Sequence, residues 1–157
     1  MLKYKRYFSY YHPSMPVVTP PPSADVMYDA SRLLFWTIIM TAARHDKTDL
    51  SLVESLTPAI QNLLWSTIAT PPHILPSLQA MCILCVWPFP ASSWSQDITF
   101  ILGGVLKSAA LQAGLHRPDV IAHFSRLKYS FNPVELREAV KVWCCTYVTT
   151  ERCVLLR

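Results

Sequence analysis

Between Glu54 and Asp97 the chain carries no Asp, Glu, Lys or Arg. So long an uncharged stretch, rich in Leu and Ile, is driven out of water and must be largely buried, against itself or against a partner. Pro58, Pro71, Pro72, Pro76, Pro88 and Pro90 cut it into pieces, since proline lacks a donor and fixes φ. Only three glycines occur in 157 residues. Folds built from strands use glycine at their turns, so this scarcity favours helices. No alternating apolar and polar run of any length appears, and no internal repeat. The expectation is one all-α domain, an irregular multi-helix bundle of about five to six helices.

Residues 1–23 form an aromatic and then proline-rich lead-in (Tyr4, Tyr7, Phe8, Tyr10, Tyr11, then Pro13, Pro16 and Pro20 to Pro22). Its first part suits a short helix. The prolines predict an extended segment on the surface. Ser23 is placed to cap a helix from about Ala24 to Arg44, whose second half, LLFWTIIMTAA, is apolar all round and therefore central. A second helix begins near Thr48 or Asp49, kinks or restarts at Pro58, and stops before Pro71-Pro72. A third covers about Ser77 to Trp87.

The fourth helix begins after Ser93, with Ser93 and Gln96 as a capping box, and presents Ile98, Ile101, Leu102, Val105, Ala109 and Ala113 as its apolar face. Gly114 follows it as the left-handed residue that ends a helix. Asn132-Pro133-Val134-Glu135 opens the last helix: Asn caps, Pro takes the first position and Glu reaches back. Leu136, Val140, Trp143, Cys144 and Tyr147 are its expected buried stripe. The helix runs to an apolar end that reads as interrupted.

Several functions lose support at this point. The net charge of +4 is mild and scattered, unlike the basic stripe of a nucleic-acid-binding domain. No apolar segment is both long enough and free of prolines to span a bilayer. The odd number of cysteines, five, sits among apolar residues, as reduced thiols used as small hydrophobes do. Cys82 and Cys85 have half-site spacing for zinc, but no second pair completes four ligands. No HExxH, GxSxG or phosphate-binding loop occurs, and no carboxylate pair is set apart for acid–base work. The reading is therefore no catalytic residue, no metal ligand, no cofactor and no DNA-contacting residue.

One long-range pattern is more specific. Tyr7-Phe8 with His12-Pro13 and Pro16, Leu34 to Ile39 with Ala42-Ala43-Arg44, Leu78-Gln79-Ala80 with Leu84-Cys85, Trp87-Pro88-Phe89-Pro90, and Ala109 to Pro118 (AALQAGLHRP) follow one another in order. This order resembles the middle homology region of fungal transcription regulators that carry a binuclear zinc cluster. It is most similar to the branch holding the leucine-biosynthesis and secreted-protease regulators. Glu135, Arg137, Trp143 and Thr150-Glu151-Arg152 are similar to the helix that follows in that family.

The resemblance makes Gly114, Leu115, His116, Arg117 and Pro118 the family hallmark, structural in role; their place just after a helix end independently predicts that His116 and Arg117 bond carbonyls of that end or of a neighbouring helix. The resemblance implies a nuclear gene-control protein, with the cytoplasm as the alternative location. Residues 24–157 would be the N-terminal part of a helical regulatory domain, and so a partial domain. The family's zinc belongs to an N-terminal cluster of six closely spaced cysteines, which nothing before Tyr7 supplies, so no direct nucleic-acid contact is expected. Protein partners are expected, either the remainder of a regulator or a full-length homologue; a membrane is not. The alternative is a helical interaction or small-molecule-binding module that modulates a full-length regulator.

Overall fold

The computed structural model describes residues 2–45, 51–70, 74–93, 95–119, 121 and 132–155. Seven α-helices lie among them: α1 (Leu2–Arg6), α2 (Ala24–Ala30), α3 (Arg32–Ala43), α4 (Leu52–Ala69), α5 (Ile74–Val86), α6 (Thr99–Gln112) and α7 (Pro133–Leu155). No strand occurs among the described residues. The fold is all-α, as expected. Thr48, Asp49, Pro71, Pro72, His73, Trp94 and His123 lie outside the described residues.

Helix α5 is the centre. Every residue from Ser77 to Cys85 is buried, because α5 packs against α3, α6 and α7 at once. Pro76 sits in its first turn, where a missing N–H costs nothing, so α5 begins a little before the expected Ser77. Helix α3 is the second axis. It packs on α1, α2, α4 and α5 and buries Leu33, Leu34, Thr37, Ile38, Met40, Thr41, Ala42 and Ala43.

The helix expected from Ala24 to Arg44 is broken, which raises the helix count to seven. Ser31 adopts extended backbone (φ −162°, ψ 109°), and its side chain accepts a hydrogen bond from the Leu34 N–H at 3.2 Å. Serine competes with the helix for backbone partners and here starts a new one. Ser23 caps α2 as expected, accepting from the Val26 N–H at 3.3 Å.

Pro58 departs from expectation in the opposite direction. Helix α4 runs through it without a fresh start, held by Ile60, Leu64 and Thr67 against α3. The hydroxyls of Ser55 and Thr57 donate to the carbonyls of Leu52 and Val53.

The lead-in also differs. After α1 come a π-helical turn at Tyr7–Tyr11 and a 3₁₀ turn at His12–Ser14. Tyr7, Tyr11, Met15, Val17 and Val18 are buried, so this segment belongs to the core and not to the surface. The Nε2 of His12 donates to the Val18 carbonyl at 2.7 Å, and Gln79 of α5 donates to the Val17 carbonyl at 3.0 Å. Proline keeps the segment from making its own backbone bonds, so buried side chains satisfy its carbonyls.

The expected capping box at Ser93 and Gln96 does not open α6. Those residues form a turn of their own, and the helix starts at Thr99, where the Asp97 carboxylate accepts from the Thr99 N–H at 2.9 Å. The apolar faces of α6 and α7 are both rotated from the expected ones. Helix α6 buries Leu102, Gly103, Leu106 and Ala110, leaving Ile101 exposed. Helix α7 buries Ala139, Val142, Thr146, Thr149 and Thr150, leaving Val140, Cys144 and Tyr147 exposed. The buried set is smaller in volume because α5 and α6 lie close by. The opening of α7 is as read: Asn132 Oδ1 accepts from the Val134 and Glu135 N–H groups at 2.9 Å, and Glu135 accepts from the Asn132 N–H at 3.0 Å.

Candidate functional site

The residues from Gly114 to Pro118 close the end of α6 against α7. Gly114 has φ 74°, a conformation that costs a side chain strain and glycine none. Its N–H donates to the Leu111 carbonyl at 3.0 Å, and the Leu115 N–H reaches the Ala110 carbonyl at 3.1 Å. This pair of bonds satisfies carbonyls the helix end would leave open. Leu115 then drops into the core.

His116 sets its ring beside Trp143 of α7, centroids 5.9 Å apart. The guanidinium of Arg117 does not go to a helix end. It is exposed and pairs with Asp119 at 3.3 Å, because the backbone N–H groups of Gly114 and Leu115 already occupy the nearest carbonyls. Helix-end bonding by arginine does occur elsewhere. Arg44 donates to the carbonyls of Trp87 and Pro88, closing α5.

Four thiols lie along the seam between α5, α6 and α7. Cys82 Sγ is 3.6 Å from Thr146 Oγ1, and Cys85 donates to the Thr99 carbonyl at 3.9 Å. Burial pushes the Cys82 thiol up to about 12. A hydrogen bond with Cys153, then burial, pushes the Cys85 thiol far up. Burial raises Cys145 as well. Zinc requires thiolates, and this seam favours protonated thiols. Among the described residues no three His, Cys, Asp or Glu side chains are grouped to hold a metal ion. Nor is any described helix long and apolar enough to cross a membrane.

One cleft of about 430 Å³ opens beside the lead-in, lined by Arg6, Tyr10, Tyr11 and His45. Tyr11 Oη and His45 Nδ1 are 2.5 Å apart. Burial raises the Tyr11 phenol, while Arg44 and Arg6 oppose that shift. Its size falls within the range of small-molecule sites, and its lining offers hydrogen bonds and positive charge. The sequence did not single out this cleft. Its residues come from two ends of a long separation, and only the basic and aromatic mixture near Tyr4 to Tyr11 hinted at it.

The family described as fungal specific transcription factor domain matches residues 4–155. The chain is similar to a protein called putative transcription factor SEF1 from Eremothecium gossypii, 38% identical over 120 residues, covering 74% of this chain and 11% of that protein. It is 34% identical over 140 residues to the transcriptional regulatory protein SEF1 of Candida albicans, covering 86% of this chain and 15% of that protein. It is 26% identical over 164 residues to the regulatory protein LEU3 of Saccharomyces cerevisiae, covering 94% of this chain and 18% of that protein. The chain thus spans less than a fifth of the length of each of these relatives. No solved structure matches it.

Proposed function

Because the chain belongs to the fungal specific transcription factor domain family, we propose that it works as the regulatory, protein-contacting helical part of a nuclear gene regulator. In this reading the regulatory domain takes in the lead-in together with residues 24–157, since Tyr7, Tyr11, Met15, Val17 and Val18 lie in the same core. It performs no reaction, holds no cofactor and does not itself touch DNA. Its partners are proteins, either the remainder of a regulator or a full-length homologue.

The observation that carries the reading is the family match across nearly the whole chain. Packing supports it: the hallmark Gly114 to Pro118 ends a helix and seats a leucine, and the thiols of Cys82 and Cys85 are buried, as suits a scaffold. Two measurements test it. Joined to an unrelated DNA-binding domain in a fungal reporter strain, the folded chain changes reporter output, and Leu102→Asp, which breaks the core, abolishes that change. An unaltered output from the folded fusion rejects the reading. A gel shift with the chain alone shows no sequence-specific retardation; a specific shift rejects the claim that it does not read DNA.

A second reading is supported by the cleft at Arg6, Tyr10, Tyr11 and His45. In it the domain binds a small polar metabolite and responds to it. Thermal-shift screening with acidic intermediates of branched-chain metabolism tests this, and a flat response across them rejects it.

A further inference from the structure

Helix α7 carries a second apolar face, turned to water. Val140 is 37% exposed, Tyr147 52%, Val148 63% and Leu155 82%, and Cys144 is exposed between them. At 3.6 residues per turn these positions fall on one side, together with Arg137 and Glu151. The opposite side, with Ala139, Val142, Thr146 and Thr149, packs on α5 and α6. A run of exposed large hydrophobic side chains on one helix face is costly in water and marks a contact surface.

The order of residues on this face says what covers it. Arg137 lies seven positions before Cys144 and Glu151 seven after; Val140 lies four before and Val148 four after. If two copies of α7 cross antiparallel at Cys144, each Arg137 meets a Glu151 of the other copy, and each Val140 meets a Val148. The face is complementary to itself under a two-fold axis, which is the requirement for a closed homodimer. A parallel pair would instead set Arg137 against Arg137 and Glu151 against Glu151, and like charges repel.

The charged groups are available in the needed places. Arg137 is exposed and makes no ion pair among the described residues. Glu151 gives Oε1 to Lys107 at 2.9 Å, which leaves its other oxygen for a second cation. Lys107 also lies over the Tyr147 ring, 5.6 Å from the centroid. It thereby holds both Glu151 and Tyr147 in place on the surface before any partner arrives.

We propose that the outer face of α7 is the interface of an antiparallel homodimer, with Cys144 on the two-fold axis. This stands apart from the regulatory reading and does not depend on it. In such a pair the two Cys144 Cα atoms lie roughly 3–5 Å apart, given usual helix separations and radii.

Analytical ultracentrifugation of the 157-residue chain tests the proposal, with circular dichroism on each variant to verify folding. The expected result is a reversible dimer whose dissociation constant rises about tenfold or more with Val148→Glu. Arg137→Glu and Glu151→Arg each weaken it about tenfold, and the two together restore it to within about threefold, since they exchange the charges across the axis. A short bismaleimide links two copies, and Cys144→Ser removes that link. A monomer at all concentrations overturns the proposal and leaves the face to a different helix. So does a dimer unmoved by Val148→Glu, or one that the paired charge exchange does not restore.

Discussion

The guanidinium of Arg44, one residue past the end of α3, donates at 3.0 Å to the carbonyl of Trp87, one residue past the end of α5. The same Nη2 also donates to the Pro88 carbonyl. Partly removed from water, Arg44 loses some hydration and its pKa falls, yet it remains a cation at physiological pH. It meets the negative end of a helix dipole, where cations are favoured. The contact also ties the two most deeply packed helices together.

Replacing Arg44 by Met should cost about 2 kcal/mol, the scale of charge-assisted hydrogen bonds lost at a half-buried site. Arg44→Lys should recover less than half of it, because an ammonium does not reproduce the guanidinium fork. Denaturant titrations of the three proteins give the comparison. Equal midpoints would mean the contact contributes nothing.

The glycines should behave oppositely. Gly114→Ala forces a side chain into φ 74° and should destabilise by about 1–2 kcal/mol. Gly103→Ala places a Cβ 3.7 Å from Cys153 Cβ and 3.8 Å from its Sγ, ordinary contact distances. In a helix interior that exchange should stabilise by about 0.5–1 kcal/mol. Thermal melts distinguish the two signs.

Two buried hydroxyls should be dispensable. Tyr7 Oη and Thr149 Oγ1 find no hydrogen-bond partner among the described residues. Their desolvation is therefore uncompensated. Tyr7→Phe and Thr149→Val should each be neutral or stabilising by up to about 1 kcal/mol. A loss of more than that from either would reveal a partner for the hydroxyl.

High pH should unfold the protein through its thiols and phenols. The Cys82 thiol ordinarily ionises near 9.0 and in the fold near 12. Above its ordinary value the unfolded chain has released the proton that the fold retains, so stability is full below about pH 9 and declines towards pH 12. Tyr7 acts in the same direction, its phenol pushed up chiefly by burial. Cys82→Ala should make the decline shallower by close to one proton, read from stability against pH. An unchanged slope would show that Cys82 does not contribute.

Much of the local structure was legible before the fold was known. The caps at Ser23 and Asn132, the turn at Gly114 and the buried third helix all rest on interactions within a few residues, which chain order alone specifies. Ser31 and Pro58 were harder. A serine inside an apolar run is compatible with continuing a helix or restarting it, and neighbouring packing decides between them. A proline in a helix is tolerated when its other turns bury enough surface, as Ile60 and Leu64 do. Of the candidate site, the Gly114 to Pro118 turn was legible and the cleft at Arg6 and His45 was not, since residues distant in sequence compose it.

Residue order by itself determined the helical class, the buried α5 and the family pattern, because helix capping is a short-range demand; the uncharged stretch as a whole is not central, since α4 within it buries only Ile60, Leu64 and Thr67. Only tertiary packing decided which side of α6 and α7 faces inward. Reading the bulkiest residues as core named Val140, Cys144 and Tyr147. Three helices meeting closely admit alanine, threonine and valine instead, and the larger side chains are left outside. Close packing selects volume as strictly as polarity, and the space available at a seam exists only once the helices have met.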